Sequence, residues 1–224
     1  MSNPFSTLVL VRHGKSEWNK LDLFTGWVDV DLAPEGIEEA KRAGQKIKDL
    51  NISFESAHCS MLKRAIKTCW QMLDVMDNVN LTLHYHWRLN ERHYGDLQGK
   101  NKAQTRTQFG EEQVKIWRRS FDTKPPELTQ TQLVPANYVG LNIMPKSESL
   151  KDTIDRVLPY WKNQLEPTLT SGKNLLVVAH GNSLRGLVKH LLNMGDQEIV
   201  HFEIATGDPL IFTFDQGMNV TLKR

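Results

Sequence analysis

Cysteine is scarce in this 224-residue sequence, which contains only Cys59 and Cys69. The two residues do not have the C-x-x-C spacing of a zinc or redox pair, and they are too few for the disulfide framework of a small secreted domain. We therefore expect both thiols to be reduced, as in a cytosolic protein. The apolar run near the N-terminus is far too short for a signal peptide or a membrane span, which also favours a cytoplasmic location.

The sequence also lacks an excess of charge of either sign. Its 28 lysines and arginines almost balance its 26 aspartates and glutamates, for a net charge of +2. This balance argues against the broad basic surface of a general nucleic-acid binder, so any anion site has to be local. The G-x-G-x-x-G, Walker A and H-E-x-x-H motifs are absent, which leaves a nucleotide-binding protein and a zinc protease without support.

What the sequence does contain is an alternation of buried strands and amphipathic helices. The runs at 8–11 and 175–179 are apolar throughout, which is typical of parallel strands buried on both faces. Further strands are expected at 54–60 and 81–89, helices at 34–50, 61–76, 101–120, 149–165 and after Gly181, and a long loop at 125–145. The alternation predicts one α/β domain over residues 1–224, a three-layer α/β/α fold with a mostly parallel central sheet and helices on both faces.

Both fully apolar strands end in His-Gly, in "LVLVRHG" and in "NLLVVAHG". Because the carboxyl ends of parallel strands meet at one edge of a sheet, Arg12, His13 and His180 are expected to converge. Arginine binds phosphoryl oxygens in pairs, and a neutral histidine nitrogen can attack phosphorus. Gly14 and Gly181 would allow a sharp turn or a close approach to a ligand, and the helix start after His180 favours an anion. One His-Gly alone is better explained as a strand end, but the pair favours a phosphoryl-transfer site.

Two further side chains could reach the same edge. Arg64 begins a helix directly after the strand "FESAHCS", although a solvated surface arginine fits its spacing equally well. Glu91 lies in the polar turn "LNERHYG", where a carboxyl group could exchange a proton with a substrate hydroxyl.

His84 and His86 share one face of a predicted strand and could ligate a metal, but no third ligand stands at a suitable spacing. We interpret that pair as part of an exposed or half-buried strand and predict no metal site.

Taken in order along the chain, several motifs point to one family. They are "RHGKSEWN", "FTGW", "LKRA", "LNERHYGDLQGKNK", "WRRSF", "PPEL" and "AHGNSLRG". Together they resemble the cofactor-dependent phosphoglycerate mutases of the histidine phosphatase superfamily, over nearly the whole chain. Arg-His-Gly alone indicates only the superfamily, whereas "NERHYG" and "WRR" resemble the mutase branch.

The resemblance implies a role for each matched residue. His13 would become phosphorylated, Glu91 would donate and accept the proton, and His180 would stabilise the transferring phosphoryl group. Arg12 and Arg64 would complete the catalytic set. The implied substrate-binding residues are Arg12, Gly14, Ser16, Asn19, Thr25, Gly26, Arg64, Glu91, Arg92, His93, Tyr94, Lys102, Arg118, Arg119, Gly181 and Asn182.

The implied reaction interconverts 3-phosphoglycerate and 2-phosphoglycerate, with 2,3-bisphosphoglycerate as the primer of the phosphoenzyme and without a metal. The implied partners are small phosphorylated three-carbon acids and a second copy of the chain in a homodimer, and neither nucleic acid nor membrane. Compared with the family pattern, the loop between "PPEL" and "SESL" is shorter and no tail follows Arg224, so we expect less cover over the site. Two other functions stay open: a phosphatase that uses the same phosphohistidine, and an inactive protein that binds a phosphorylated ligand.

Overall fold

The computed structural model describes residues 4–223, and within them one six-stranded sheet forms the centre of the molecule. Its strands are β1 (Ser6–Arg12), β2 (Ser56–Cys59), β3 (Leu83–Tyr85), β4 (Leu175–Ala179), β5 (Pro209–Phe214) and β6 (Val220–Lys223). They lie in the order β3-β2-β4-β1-β5-β6. The strands β3, β2, β4 and β1 pair in parallel. The strand β5 pairs antiparallel with β1, and β6 pairs antiparallel with β5. The predicted mostly parallel sheet is confirmed.

Helices cover the sheet and connect its parallel strands. They are α1 (Glu17–Lys20), α2 (Pro34–Lys48), α3 (Lys63–Val75), α4 (Lys102–Phe109), α5 (Glu111–Arg119), α6 (Leu150–Tyr160), α7 (Glu166–Thr170), α8 (Gly181–Leu191) and α9 (Asp196–His201). Two predicted elements differ from the structure. The helix expected at 149–165 continues after Tyr160 as a π-helical segment, close to Pro159, which lacks the N–H of a regular helical bond. The strand expected at 81–89 shortens to β3, followed by a 3₁₀ turn at Trp87–Leu89.

The apolar run at residues 8–11 of β1 reflects burial on both faces. Leu8 and Leu10 belong to the core shared with α6 and α8, whereas Val9 and Val11 belong to the core shared with α2 and α3. All four side chains are fully buried. Since successive side chains of a strand point to opposite faces, a run that is apolar at consecutive positions is typical of a strand between two helical layers. The three-layer prediction is therefore confirmed.

The segment between α5 and α6 contains no helix or strand, as predicted for residues 125–145. Its Met144 packs with Trp27 and Trp87 in a small separate cluster that Tyr138 flanks. This long loop thus packs against the segments that carry Trp27 and Trp87. Among residues 4–223, no helix has the length and apolar character needed to cross a lipid bilayer.

Candidate active site

The pairing of β1 with β4 brings the two His-Gly segments together. Arg12 lies opposite Ala179 in this parallel pair, and the His13 N–H donates a hydrogen bond of 3.0 Å to the Ala179 carbonyl. The next residue in each segment is a histidine, and the ring centroids of His13 and His180 lie 4.8 Å apart. The predicted convergence at one edge of the sheet is confirmed.

The surroundings of His13 leave one of its ring nitrogens free. Its side chain is buried, and its Nδ1 lies 2.7 Å from the Gly14 carbonyl oxygen. Because a carbonyl oxygen only accepts, Nδ1 carries the proton and Nε2 keeps its lone pair. Burial, followed by the guanidinium groups of Arg64 and Arg12, lowers the pKa of His13 well below its usual value. The ring is therefore neutral near pH 7 and its Nε2 can attack phosphorus.

His180 is fixed from behind by Ser60, the residue that directly follows β2. Its Nε2 lies 2.7 Å from the Ser60 hydroxyl oxygen, and its Nδ1 has no hydrogen-bond partner among residues 4–223. Burial, followed by Arg64 and His13, lowers the pKa of His180 well below its usual value. His180 directly precedes α8, so the N-terminal end of that helix also faces the site.

A buried arginine, Arg64, and a half-buried one, Arg12, flank these rings. The two Nη atoms of Arg64 donate to the carbonyls of Val28 and Gly26 at 2.9 and 2.8 Å, so the side chain is fixed rather than solvated at the surface. Burial lowers the pKa of Arg64 to about 10, which leaves it charged near pH 7. Arg12 donates to the Ile204 carbonyl at 2.8 Å, while its buried Nε has no partner among the described residues. A bound phosphoryl oxygen would satisfy that N–H.

The carboxylate of Glu91 is anchored through one oxygen. Oε1 accepts hydrogen bonds from the Arg92 N–H at 2.7 Å, the Asn182 N–H at 3.1 Å and the Asn182 amide at 2.9 Å. Oε2 accepts none from residues 4–223 and faces Gly181. Glu91 thus has one oxygen fixed by the fold and one available for proton exchange.

These groups border a cavity of about 270 Å³. The predicted residues that line it are Arg12, His13, Asn19, Thr25, Gly26, Arg64, Glu91, Tyr94, Lys102, Arg118, Arg119, Gly181 and Asn182. His180 lies just behind His13. The lining also includes Leu23, Phe24, Arg185, Phe202, Glu203 and Ile204. With six Lys and Arg side chains against two glutamates, the cavity is suited to a small polyanion.

Four predicted binding residues lie outside this lining. Ser16 caps α1, and a side chain at Gly14 would place its Cβ 2.1 Å from the Gly36 carbonyl oxygen on α2. Backbone packing therefore requires glycine at position 14.

Arg92 and His93 also support the site from behind its lining. Arg92 is fully buried and donates to the Tyr94 hydroxyl and the Arg118 carbonyl, both at 2.9 Å. His93 Nδ1 accepts a bond of 3.0 Å from the Gly95 N–H. Burial lowers the pKa of His93 to about 4. Both residues therefore hold neighbouring backbone and side chains in place.

Arg185 is the lining cation that sequence reasoning missed. It lies three residues after Asn182 on α8, and its Nη1 donates to the Asn182 amide oxygen at 3.1 Å. Burial lowers its pKa to about 10. The available signal was helical spacing, because residues three apart on a helix share a face.

Comparisons with known proteins agree with this geometry. Residues 8–223 match the model of the histidine phosphatase superfamily (branch 1). The 2,3-bisphosphoglycerate-dependent phosphoglycerate mutase of Staphylococcus carnosus (strain TM300) is 50% identical over 223 residues, covering 97% of this chain and 98% of that protein. The protein of the same name from Lactobacillus acidophilus is 47% identical over 224 residues, covering 97% of each chain.

Solved structures show the same fold at lower identity. A mycobacterial glucosyl-3-phosphoglycerate phosphatase solved with VO3 has a TM-score of 0.75 and 19% identity, covering 97% of each chain. The alpha-ribazole phosphatase of Shigella flexneri has a TM-score of 0.72 and 24% identity, covering 97% of this chain and 94% of that one. Together with the matched family model and the two mutases, these findings show that the chain belongs to branch 1 of the histidine phosphatase superfamily and, within it, to the family of the 2,3-bisphosphoglycerate-dependent phosphoglycerate mutases.

Proposed function

We propose that the protein interconverts 3-phosphoglycerate and 2-phosphoglycerate through a phosphohistidine at His13, a step of glycolysis and gluconeogenesis. The observation that carries this proposal is a single cavity holding a neutral histidine with a free Nε2, a glutamate with one free oxygen and six cationic side chains. The relatives that are about half identical to this chain have this activity in their names.

In the proposed reaction, phosphorylated His13 transfers its phosphoryl group to the free hydroxyl of the bound phosphoglycerate. The P–N bond to Nε2 breaks, a P–O bond forms, and Glu91 Oε2 takes the hydroxyl proton. After the bound bisphosphorylated acid reorients, Nε2 attacks the other phosphorus, and Glu91 returns the proton to the departing oxygen. Arg12, Arg64 and His180 Nδ1 hold the transferring group, so electrostatic preorganisation is the main catalytic contribution.

The cations beyond Arg12 and Arg64 suit the second charged end of the substrate. Arg118, Arg119 and Lys102 line the same cavity, and the latter two are already partly neutralised by Glu203 and Asp22. This donor set fits 2,3-bisphosphoglycerate, which we propose as the primer that phosphorylates His13. Every step is carried by side chains, so chelation with EDTA should leave turnover unchanged.

We propose that the enzyme acts in the cytoplasm, where its small phosphorylated acids occur, with no nucleic-acid or membrane partner. We also propose a homodimer, following the family resemblance. Light scattering of the purified protein would test the dimer, and a mass equal to one chain of 25.7 kDa would refute it.

A coupled assay for 2-phosphoglycerate, with and without added 2,3-bisphosphoglycerate, tests the function. We expect turnover that depends on the primer, and acid-labile radiolabel on the protein after incubation with labelled primer. His13→Ala should lose both the label and turnover, because its Nε2 forms the bond to phosphorus. Release of inorganic phosphate without 2-phosphoglycerate would identify a phosphatase instead, and label on the His13→Ala protein would refute the assignment of the nucleophile.

A further inference from the structure

A buried ion pair on the far side of Glu91 has no part in the reaction described above. Arg156 on α6 and Glu148 just before that helix pair at 2.7 Å, with side chains only 8% and 6% exposed. Neither residue lines the cavity. Burying two charges is costly unless their remaining hydrogen-bonding groups are also satisfied. The other hydrogen-bond partners of Arg156 and Glu148 therefore indicate which part of the structure this ion pair stabilises.

The other partners of Arg156 are main-chain carbonyls around Glu91. Its guanidinium donates to the carbonyls of Arg88 at 2.6 Å, Asn90 at 2.9 Å and Glu91 at 2.8 Å. The same group donates two hydrogen bonds to the Glu148 carboxylate, at 2.7 and 3.0 Å. The guanidinium of Arg156 therefore connects three main-chain carbonyls of residues 88–91 to α6, which lies more than fifty residues further along the chain.

The same segment is held from its other side through Glu148 and Trp27. The Glu148 carboxylate accepts from the His93 N–H at 2.8 Å, and the Glu148 N–H donates to the His93 carbonyl at 2.9 Å. The Trp27 indole N–H donates to the Glu91 carbonyl. Residues 90–94 belong to no helix or strand that would set their conformation, so these contacts supply the constraint.

We propose that Arg156, oriented by Glu148, is a positioning residue that sets the direction in which the Glu91 carboxylate enters the cavity. Its effect is exerted through the main chain of Glu91, since it touches neither substrate nor the reacting atoms. This inference rests on the proposed function, in which Glu91 protonates the oxygen that leaves phosphorus. A displacement of about 1 Å in such a group can cost about a hundredfold in rate.

Arg156→Lys is the informative variant. Lysine keeps the charge that Glu148 requires, which preserves the fold, but one ammonium group cannot make the planar set of contacts to three carbonyls and a carboxylate. The measured quantity is the rate of His13 phosphorylation by two donors. 2,3-Bisphosphoglycerate needs a proton on its leaving alkoxide, whereas dinitrophenyl phosphate releases a stable phenolate and needs none.

We expect Arg156→Lys to slow phosphorylation by 2,3-bisphosphoglycerate by about tenfold to a hundredfold. Phosphorylation by dinitrophenyl phosphate should change by less than about twofold, because that step does not use the proton of Glu91. Glu91→Gln should show the same donor dependence. The double variant with Glu91→Gln should be no slower than Glu91→Gln alone, since Arg156 acts through the group already removed.

The matched control is Lys151→Met, which removes an exposed cation from the same helix, where it pairs with Asp155 at 2.9 Å. It should leave both rates unchanged. Equal slowing of both donors by Arg156→Lys, or additive losses in the double variant, would overturn the positioning role and leave the proposed function intact. A wild-type protein that 2,3-bisphosphoglycerate does not phosphorylate would overturn the proposed function and this inference with it.

Discussion

At the scale of single residues, the site depends on which atom of each polar side chain forms a hydrogen bond within the protein and which atom has no such partner. In His13, Nδ1 forms a hydrogen bond within the protein and Nε2 is free. In Glu91, Oε1 accepts hydrogen bonds within the protein and Oε2 is free. It likewise uses Nη1 of Arg12 and leaves the buried Nε. Each constraint removes a competing orientation before substrate binds, which is the physical content of preorganisation.

Glu91→Gln tests the role of the free carboxylate oxygen. Glutamine keeps the shape but cannot accept the hydroxyl proton, so transfer between His13 and the substrate should slow by about a hundredfold to ten-thousandfold. Single-turnover decay of the labelled phosphoenzyme on addition of 3-phosphoglycerate measures the step. Glu55→Gln is the matched control, because Glu55 pairs with Lys173 and neither residue lines the cavity. Near-normal transfer in Glu91→Gln would show that another group moves the proton.

Ser60→Ala tests whether the orientation of His180 matters. The alanine leaves the buried Nε2 of His180 without its 2.7 Å partner, and an unmade buried hydrogen bond costs about 1–3 kcal/mol. We expect kcat to fall by about tenfold or more while KM changes little, because the role proposed for His180 lies mainly in the transition state. Ser56→Ala, at the start of the strand that Ser60 follows, removes the analogous partner of His58, at 3.1 Å and away from the cavity. An equal loss of kcat in both variants would argue for a general effect of β2.

At the scale of elements, the site exists because helices pack closely against the ends of the strands. The loop after β1 touches the start of α2 through two glycines, and the Gly14 N–H donates to the Thr68 hydroxyl of α3 at 3.0 Å. That hydroxyl donates in turn to the Arg64 carbonyl at 2.7 Å. The segment that carries His13 is therefore tied to the helix that carries Arg64.

The two glycines that follow the histidines should respond differently to alanine. In Gly14→Ala the new Cβ would meet the Gly36 carbonyl at 2.1 Å, so we expect a loss of about 1–3 kcal/mol in the free energy of unfolding together with lower activity. In Gly181→Ala the Cβ would lie 3.6 Å from Arg12 Nε and 3.7 Å from Glu91 Oε2, which is ordinary contact. That variant should stay as stable as wild type but be phosphorylated more slowly.

Urea unfolding and the rate of His13 phosphorylation distinguish these outcomes. Unchanged stability in Gly14→Ala would show that the loop and α2 can separate without cost. Wild-type phosphorylation in Gly181→Ala would show that the phosphoryl group does not occupy the space next to Arg12 Nε.

At the scale of the whole molecule, five buried or half-buried histidines share one property. Burial is the largest cause of a lowered pKa in each, well below the usual value for His13 and His180, to about 3 for His58 and to about 4 for His86 and His93. In the unfolded chain they gain protons as the pH falls through about 6.5, but in the folded protein they do not. The unfolded state thus binds more protons below that pH, and stability decreases as the pH falls.

We predict that the free energy of unfolding falls as the pH is lowered from about 7.5 to about 5, a range above the usual pKa of the carboxyl groups. His58→Gln should flatten this dependence, because His58 lies outside the cavity and bonds Tyr160 at 2.7 Å in its neutral form. His201→Gln, at the exposed end of α9, is the matched histidine-to-glutamine control. Urea titrations at several pH values measure the slope, and identical slopes in His58→Gln and wild type would contradict the prediction.

The local residue pattern was sufficient to predict those strands and helices whose own sequence determines their secondary structure. The strand β4 is apolar at every position, β1 is apolar from Leu8 to Val11, and α2 and α3 carry a helical apolar stripe. The strands β5 and β6 are only partly buried, and they form because β1 offers an edge for antiparallel pairing. Such strands have weak signals of their own, since strand formation depends on cross-strand neighbours.

The sequence by itself determined the chemistry of this protein: the order of its motifs indicated the family, and the two His-Gly strand ends indicated a phosphoryl site around His13, His180 and Arg12. Only the tertiary structure decided how these groups are held. The parallel pairing of β1 with β4 places the imidazole rings of His13 and His180 4.8 Å apart. Ser60 orients His180, and Arg156 on α6 donates a hydrogen bond to the main-chain carbonyl of Glu91. The physical reason is that such contacts join segments distant in sequence, and their geometry follows from packing of the whole core rather than from any local pattern.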